Sequence, residues 1–146
     1  MFELIYSSVA VTALNDEELE LLLGRSRHHN EINGITGLLL HVHSEPTGSA
    51  YFVQLLEGGQ GEVEQTYERI ANDELHSDLR VLSSGASSGR AFGDWTMRLE
   101  EVSTDRLRPV GTGDQRRRVA EVVRDPETMG RLIRQYQEHS GPGRQA

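Results

Sequence analysis

The chain has 146 residues, 36% of them hydrophobic and 26% charged, which is the size and composition of one folded domain with a short extension. Its net charge of −8 argues against direct binding to nucleic acid or an anionic membrane, and no run of about 18 apolar residues could span a bilayer. It has no cysteine and no basic, apolar leader at the N-terminus, so we expect a cytoplasmic protein without disulfides.

The first predicted elements are a strand and a helix. β-branched and aromatic residues at 3–9 are typical of a strand. Asn15 and Glu18 have the spacing of a capping box, which predicts a helix that begins there and runs to about residue 30. The pair Asn33-Gly34 is expected to end it.

A hairpin and a second helix follow. Residues 35–43 and 51–56 are predicted to be strands, joined by a long loop of turn-forming residues. Residues 61–73 carry apolar side chains at i, i+4 and i+7, which predicts a helix with one buried face.

Two more strands complete the predicted sheet. Residues 79–83 form the fourth strand, and 84–89 are a Gly/Ser-rich link. The alternation of Trp95, Met97 and Leu99 predicts a fifth strand. The order is that of an α+β, ferredoxin-like β-α-β-β-α-β sandwich with an extra fifth strand.

Residues 100–146 are predicted to be a C-terminal helical extension to a domain at 1–99. Asp125-Pro126 is a typical helix start, and 140–146 should fray. The basic run at 116–118 lies among acidic residues and is interpreted as a solvated helix face. An apolar stripe at helical spacing could pack on the chain's own sheet or between subunits; it consists of Met129, Leu132, Ile133 and Tyr136.

Polar residues occupy positions where core residues belong. The buried face of the first helix, continued along its length, reaches Ser26 and Asn30. A buried amide needs a partner, for which backbone near the helix C-terminus is the simplest choice. Gln54 interrupts an apolar face of the third strand, and Tyr6 is predicted to point inward from the first. These groups predict a polar cluster in an apolar cleft, as in small-ligand sites.

Motifs for catalysis or metal binding are weak. His41 and His43 share one face of a strand, and His28-His29 lies near a helix end, but no third ligand follows either pair at a recognisable spacing. We therefore predict no metal site. The sequence has no phosphate-binding glycine loop and no nucleophile elbow, so we expect a protein that is not an enzyme.

Five motifs in order resemble the BLUF family, the sensors of blue light using FAD. The resemblance covers about residues 2–99 and implies a ferredoxin-like fold that holds the flavin ring between two helices. The motifs are Ile5-Tyr6-Ser7-Ser8, Ser26-Arg27-His28-His29-Asn30, Gly34-Ile35-Thr36-Gly37-Leu38-Leu39, Phe52-Val53-Gln54-Leu55-Leu56-Glu57-Gly58 and Arg90-x-Phe92-x-x-Trp95-x-Met97.

The resemblance implies a role for each polar residue in the cleft. Asn30 would hold the polar edge of the flavin, His29 would lie beside the ring, and Ser26 would support the pocket. Tyr6 would be the photoactive phenol and Gln54 the amide between it and the flavin.

The resemblance also implies a photoswitch. Tyr6 would lose an electron and then a proton under blue light and regain both, after Gln54 has rotated or changed tautomer. Trp95 or Met97 would pass the change onward. Without an output domain after residue 99, we expect signalling through a homo-oligomer or a downstream protein partner.

Two departures from the family pattern stand out. The hairpin loop at 44–50 is longer than usual, and Asp73-Glu74-Leu75-His76 replaces the frequent Asp-Pro-Arg-His, so Leu75 removes a basic side chain. The alternatives are a non-photoactive interaction domain of the same fold and an acylphosphatase-like enzyme, for which the phosphate-cradling loop is missing.

Overall fold

A computed structural model describes residues 1–10, 14–43, 50–103 and 121–138 of the chain. None of the helices in these ranges is long and apolar enough to cross a membrane. The elements, in chain order, are β1 (Phe2–Ala10), α1 (Asp16–Asn33), β2 (Thr36–His43), β3 (Ala50–Gly58), α2 (Gln60–Ala71), β4 (His76–Ala86), β5 (Arg98–Ser103) and α3 (Pro126–Glu138).

The described strands form one sheet in the order β4-β1-β3-β2-β5. β3 lies antiparallel between β1 and β2, and β4 is antiparallel to β1 on the other side. β5 runs parallel to β2 and adds the fifth strand at the edge. This confirms the predicted ferredoxin-like α+β sandwich with an additional strand.

The ends of α1 confirm the predicted capping chemistry. The Asn15 side chain accepts a hydrogen bond from the Glu18 N–H at 2.8 Å, and the Glu18 carboxylate accepts from the Asn15 N–H at 3.2 Å. Gly34 ends the helix in the left-handed conformation with φ 67°. The helix therefore continues three residues beyond the predicted end, to Asn33.

Each face of the sheet packs against helices. α1 and α2 cover one face, where Leu19, Leu23 and Val63 join the apolar residues of the strands in one buried cluster. α3 covers the other face, where Met129, Leu132 and Ile133 pack with Leu40, Val53 and their neighbours. Of the two alternatives for the C-terminal stripe, packing on the chain's own sheet is therefore observed.

β1, β2 and β3 differ from their predicted ranges by one or two residues at an end, and the larger differences are at β4 and β5. β4 extends from His76 to Ala86 and includes part of the predicted 84–89 link. β5 begins at Arg98, so the prediction that Trp95 and Met97 lie in the fifth strand is wrong. The backbone turns here, with the Trp95 N–H bonded to the Phe92 carbonyl at 3.0 Å.

The predicted domain division at residue 99 stays a prediction, and β5 continues past it. The predicted 44–49 loop, the 116–118 basic run and the 140–146 tail lie outside the described residues.

A buried carboxylate anchors the segment that joins the last two strands, residues 87–97, called here the β4–β5 connection. Glu57, at 0% exposure, accepts hydrogen bonds from Ala91 N–H at 2.6 Å, Phe92 N–H at 3.0 Å and the Thr36 hydroxyl at 3.0 Å. Arg90 donates to the Thr36 hydroxyl and to the Gly34 carbonyl, both at 2.8 Å. The connection is thereby held against the end of the β2–β3 hairpin.

Candidate functional site

A cavity of about 600 Å³ lies between α1, α2 and the sheet. This volume is within the range of small-molecule sites. The apolar side chains of Leu22, Leu39, Phe52 and Ile70 line it together with a few polar groups. Five of the residues that the resemblance assigned to flavin binding share this lining, namely Tyr6, Ser26, His29, Asn30 and Gln54.

Tyr6 and Gln54 form the polar floor of the cavity. They are directly opposite each other in the antiparallel β1–β3 register, so both side chains point to the same face. The Tyr6 hydroxyl donates a hydrogen bond to Oε1 of Gln54. On its other side, Nε2 of Gln54 donates to the Met97 sulfur at 3.4 Å. The amide thus links the phenol to the β4–β5 connection.

The environment of Tyr6 keeps its phenol protonated. Burial raises the pKa of Tyr6 far above its ordinary value, and the nearby Tyr67 and Asp73 raise the pKa further. The ring of Tyr67 packs edge-on at 5.5 Å. Tyr6 is therefore a hydrogen-bond donor over the whole working pH range.

Asn30 is 2% exposed, as its position on the helix stripe predicted. Its amide nitrogen donates to the Thr96 carbonyl at 2.7 Å. The expected backbone partner therefore exists, but it belongs to the β4–β5 connection and not to the helix C-terminus. The amide oxygen has no hydrogen-bond partner within the described residues, and Asn30 lines the cavity. One half of this amide is thus left to serve a ligand.

His29 connects the two helices at the cavity wall. The Thr66 hydroxyl donates a hydrogen bond to the Glu62 carbonyl at 2.7 Å, so its oxygen accepts a hydrogen bond from His29 Nε2 at 3.0 Å. The other ring nitrogen faces the Asn33 amide at 3.4 Å, as an acceptor. Burial, with the charge of Arg69, lowers the pKa of His29. These bonds assign a neutral, Nε2-protonated ring.

Several cavity residues had no role assigned from the sequence. Thr66 and Arg69 face α1 from α2. In the sequence, the only indication of a role for them is that they are polar residues among the apolar positions of the second helix. His76 bonds to the Ser8 hydroxyl at 2.7 Å, and its ring lies 5.0 Å from that of Phe52. Leu75 also lines the cavity, so the departure from the family pattern lies at the wall of the site.

The two predicted switch residues have different positions. Met97 is fully buried in the cluster on the α1/α2 face and contacts Gln54. Trp95 packs with the cluster on the α3 face, and the Arg98 guanidinium lies over its ring at 5.4 Å. Met97 is therefore the neighbour of the amide, whereas Trp95 faces α3.

A ferredoxin-like sheet with a polar-floored cavity under two helices defines a small ligand-binding domain. The sequence model of the family described as BLUF, sensors of blue-light using FAD, matches residues 1–98. The chain therefore belongs to this family of flavin-dependent blue-light sensors.

Known relatives include larger light-regulated proteins. The chain is 35% identical over 107 residues to the photoactivated adenylate cyclase subunit alpha-like protein FB of Euglena gracilis, covering 71% of this chain and 10% of that protein. It thus spans about a tenth of that relative's length.

Two examples illustrate the similarity to solved structures. One is BlrB, a BLUF protein in its dark state, with a TM-score of 0.72, 25% identity, and coverage of 94% of this chain and 96% of that one. The other is BlrP1 of Klebsiella pneumoniae, with FMN and cyclic diGMP, with a TM-score of 0.63, 27% identity, and coverage of 96% and 35%.

Proposed function

We propose that the protein is a blue-light photoreceptor that holds FAD in the cavity between α1 and α2, uses Tyr6 and Gln54 as its photoswitch, and signals through a homo-oligomer or a protein partner. The role is sensory and not enzymatic, in the cytoplasm. The observation that carries the proposal is the buried hydrogen-bond chain from Tyr6 through Gln54 to Met97 on the cavity floor.

The cavity residues fit a flavin. Leu22 and Ile70 offer apolar surface for the ring from the two helices. The amide oxygen of Asn30 can accept a hydrogen bond from the imide N–H of the ring, because no donor among the described residues bonds to it. Arg25 and Arg69 also line the cavity and supply positive charge for the phosphates of a flavin nucleotide.

Bound flavin supplies absorption of blue light and, when excited, a strong oxidant. Tyr6 is placed to donate an electron to this oxidant, because it is protonated, buried and hydrogen-bonded in the cavity floor. With flavin bound, Tyr6 would give one electron and one proton to the excited ring and would regain both from it, so no net chemistry would occur. The cycle leaves behind only a change in hydrogen bonding.

Gln54 can store that change. Its amide has one acceptor and one donor end, and the present arrangement directs the acceptor at Tyr6 and the donor at the weakly accepting Met97 sulfur. Rotation or tautomerisation changes which group it offers to each neighbour. Since Gln54 is buried, a hydrogen bond that its amide loses is not replaced by one to water. The neighbouring side chains must therefore change their own hydrogen bonds or positions.

The β4–β5 connection provides a route for that response. Met97 contacts the amide on the cavity face, and the Thr96 carbonyl bonds to Asn30. Trp95, one residue earlier, packs on the α3 face. We infer that the surface of α3 carries the signal to a second copy or to a partner.

An absorption spectrum tests the proposal. The purified protein should be yellow and show a reversible red shift of its flavin bands under blue light. Chromatography of the released cofactor should identify FAD. A protein that stays colourless after reconstitution with FAD and with FMN would refute flavin binding, whereas a yellow protein without the red shift would refute only the switch.

A further inference from the structure

One buried histidine lies outside the cavity and has no hydrogen-bond partner. His41, on β2, is 3% exposed, and neither of its ring nitrogens has a partner within the described residues. Such groups are rare in folded proteins because an unpaired buried polar atom costs stability. The ring is held in place by Phe52, which stacks on it with centroids 5.3 Å apart.

Two further metal-ligating side chains face His41. His43, two residues on, lies on the same face of β2, with ring centroids 5.2 Å apart. Glu101 is the register partner of His41 on the parallel strand β5. Its carboxylate oxygen is 3.8 Å from His41 Nδ1, which is too long for a hydrogen bond.

The three side chains offer one ligand atom each, all within 4.8 Å of one another. Ligands of a tetrahedral zinc ion lie about 2.0–2.2 Å from the metal, and hence about 3.3–3.6 Å apart. Rotation of the His43 and Glu101 side chains can bring the three ligand atoms from the present spacing to that around a zinc ion. Both side chains have room to rotate, because His43 is half-buried and the Glu101 side chain is 37% exposed. Their exposure also leaves an approach for an ion from solvent.

We infer that His41, His43 and Glu101 form a binding site for a divalent transition-metal ion such as Zn²⁺. Two imidazoles and one carboxylate are a typical zinc ligand set, with water in the fourth position. The metal would supply the missing partner of His41 and tie β5 to β2. The sequence alone predicted no site, because the third ligand comes from a distant strand and depends on the parallel register.

Calorimetric titration of untagged, chelator-treated full-length protein with Zn²⁺ alone tests the site. We expect one ion per chain and a rise in Tm with Zn²⁺ concentration. His43→Ala and Glu101→Gln should each weaken binding by about tenfold or more, since one ligand is lost while the buried His41 is untouched. Mg²⁺ should not compete, because it prefers oxygen ligands.

His28→Ala is the matched control, since His28 is an exposed histidine on α1. This variant should bind Zn²⁺ as tightly as the unchanged protein does. Absence of Zn²⁺ binding would overturn the inference. So would equal affinity in the unchanged protein and in both ligand variants, which would place the ion elsewhere. The test does not depend on flavin photochemistry, so its failure leaves the proposed function intact.

Discussion

Tyr6 and Gln54 lie opposite each other on adjacent antiparallel strands, and the phenol hydroxyl donates a hydrogen bond to the amide oxygen. Both residues are almost fully buried, at 1% and 5% exposure. The backbone register of two paired strands, and not a loop, sets the positions from which the two side chains project, so the amide can change its hydrogen bonds without a change in its place on the sheet.

Replacement of Tyr6 by phenylalanine should leave a yellow protein that no longer forms the red-shifted state. The ring still fills its place, but the hydroxyl to which we assign the donation of the electron and proton is gone. Light-minus-dark absorption spectra measure the effect. Tyr67→Phe is the control, because its ring lies 5.5 Å from Tyr6 without a described bond to Gln54. Normal photocycling of Tyr6→Phe would contradict the assigned role.

Gln54→Leu should likewise retain flavin and lose the red shift, because leucine has similar bulk and no hydrogen-bonding groups. Met97→Leu removes only the weak sulfur acceptor of the amide. It should therefore keep the red shift and change the rate of dark recovery. A red shift in Gln54→Leu as large as in the unchanged protein would show that another group is the switch.

Asn30→Ala should weaken flavin binding by a factor of roughly 2 to 13, which corresponds to the loss of one net hydrogen bond of about 0.5–1.5 kcal/mol. Apo-protein stability should also fall, because the bond to the Thr96 carbonyl disappears. Flavin titration and apo-protein melting separate the two effects. Asn15→Ala, which loses the capping bond from the Glu18 N–H at the start of the same helix, should alter stability more than affinity. Unchanged affinity in Asn30→Ala would refute its role as a flavin ligand.

Glu57→Ala should lower the free energy of unfolding by about 3 kcal/mol or more, because a buried and a part-buried backbone N–H group and a buried hydroxyl lose their acceptor. Urea unfolding measures the change. Glu64→Ala, which removes an exposed carboxylate bonded to Gln60, should stay within about 0.5 kcal/mol of the unchanged protein. Equal effects of the two substitutions would mean that Glu57 does not anchor the β4–β5 connection.

Stability should fall as the pH drops below about 6.5, the ordinary histidine pKa. Burial lowers the pKa of His76, partly offset by the charge of Asp73, so the folded protein prefers the neutral ring. The unfolded chain takes up a proton first as pH falls, and the contribution present above pH 6.5 is lost. His76→Gln should show a shallower decline in Tm between pH 7.5 and 5.5. An identical slope would exclude His76 as a source of the pH dependence.

Local chemistry accounts for what the sequence could predict. The capping box at Asn15 and Glu18, the alternation around Gln54 and the helical phase of Asn30 each depend on neighbours in the chain, and the structure agrees with them. The position of Trp95 could not be predicted in this way. Its spacing to Met97 matches a strand, but bonds to Glu57 and Phe92 fold the backbone there into turns.

Contacts between elements that are far apart in the chain could not be predicted from the sequence either. The His29–Thr66 bond depends on how α1 packs beside α2. The approach of Glu101 to His41 depends on the β2–β5 register, which no local pattern specifies.

Because α3 covers the face opposite the cavity, the proposed flavin site and the proposed signalling surface lie on opposite sides of one β-sheet. Trp95 packs on one side of the sheet and Met97 on the other, so under the proposed mechanism the signal would cross the sheet within three consecutive residues. An engineered fusion that discarded α3 would expose the apolar face around Leu40 and Val53, which would favour aggregation, and would also remove the proposed signalling surface. A fusion joined after Glu138 would keep α3 on the sheet, and the exposed face of α3 could then be redesigned for a chosen partner without a change to the cavity residues.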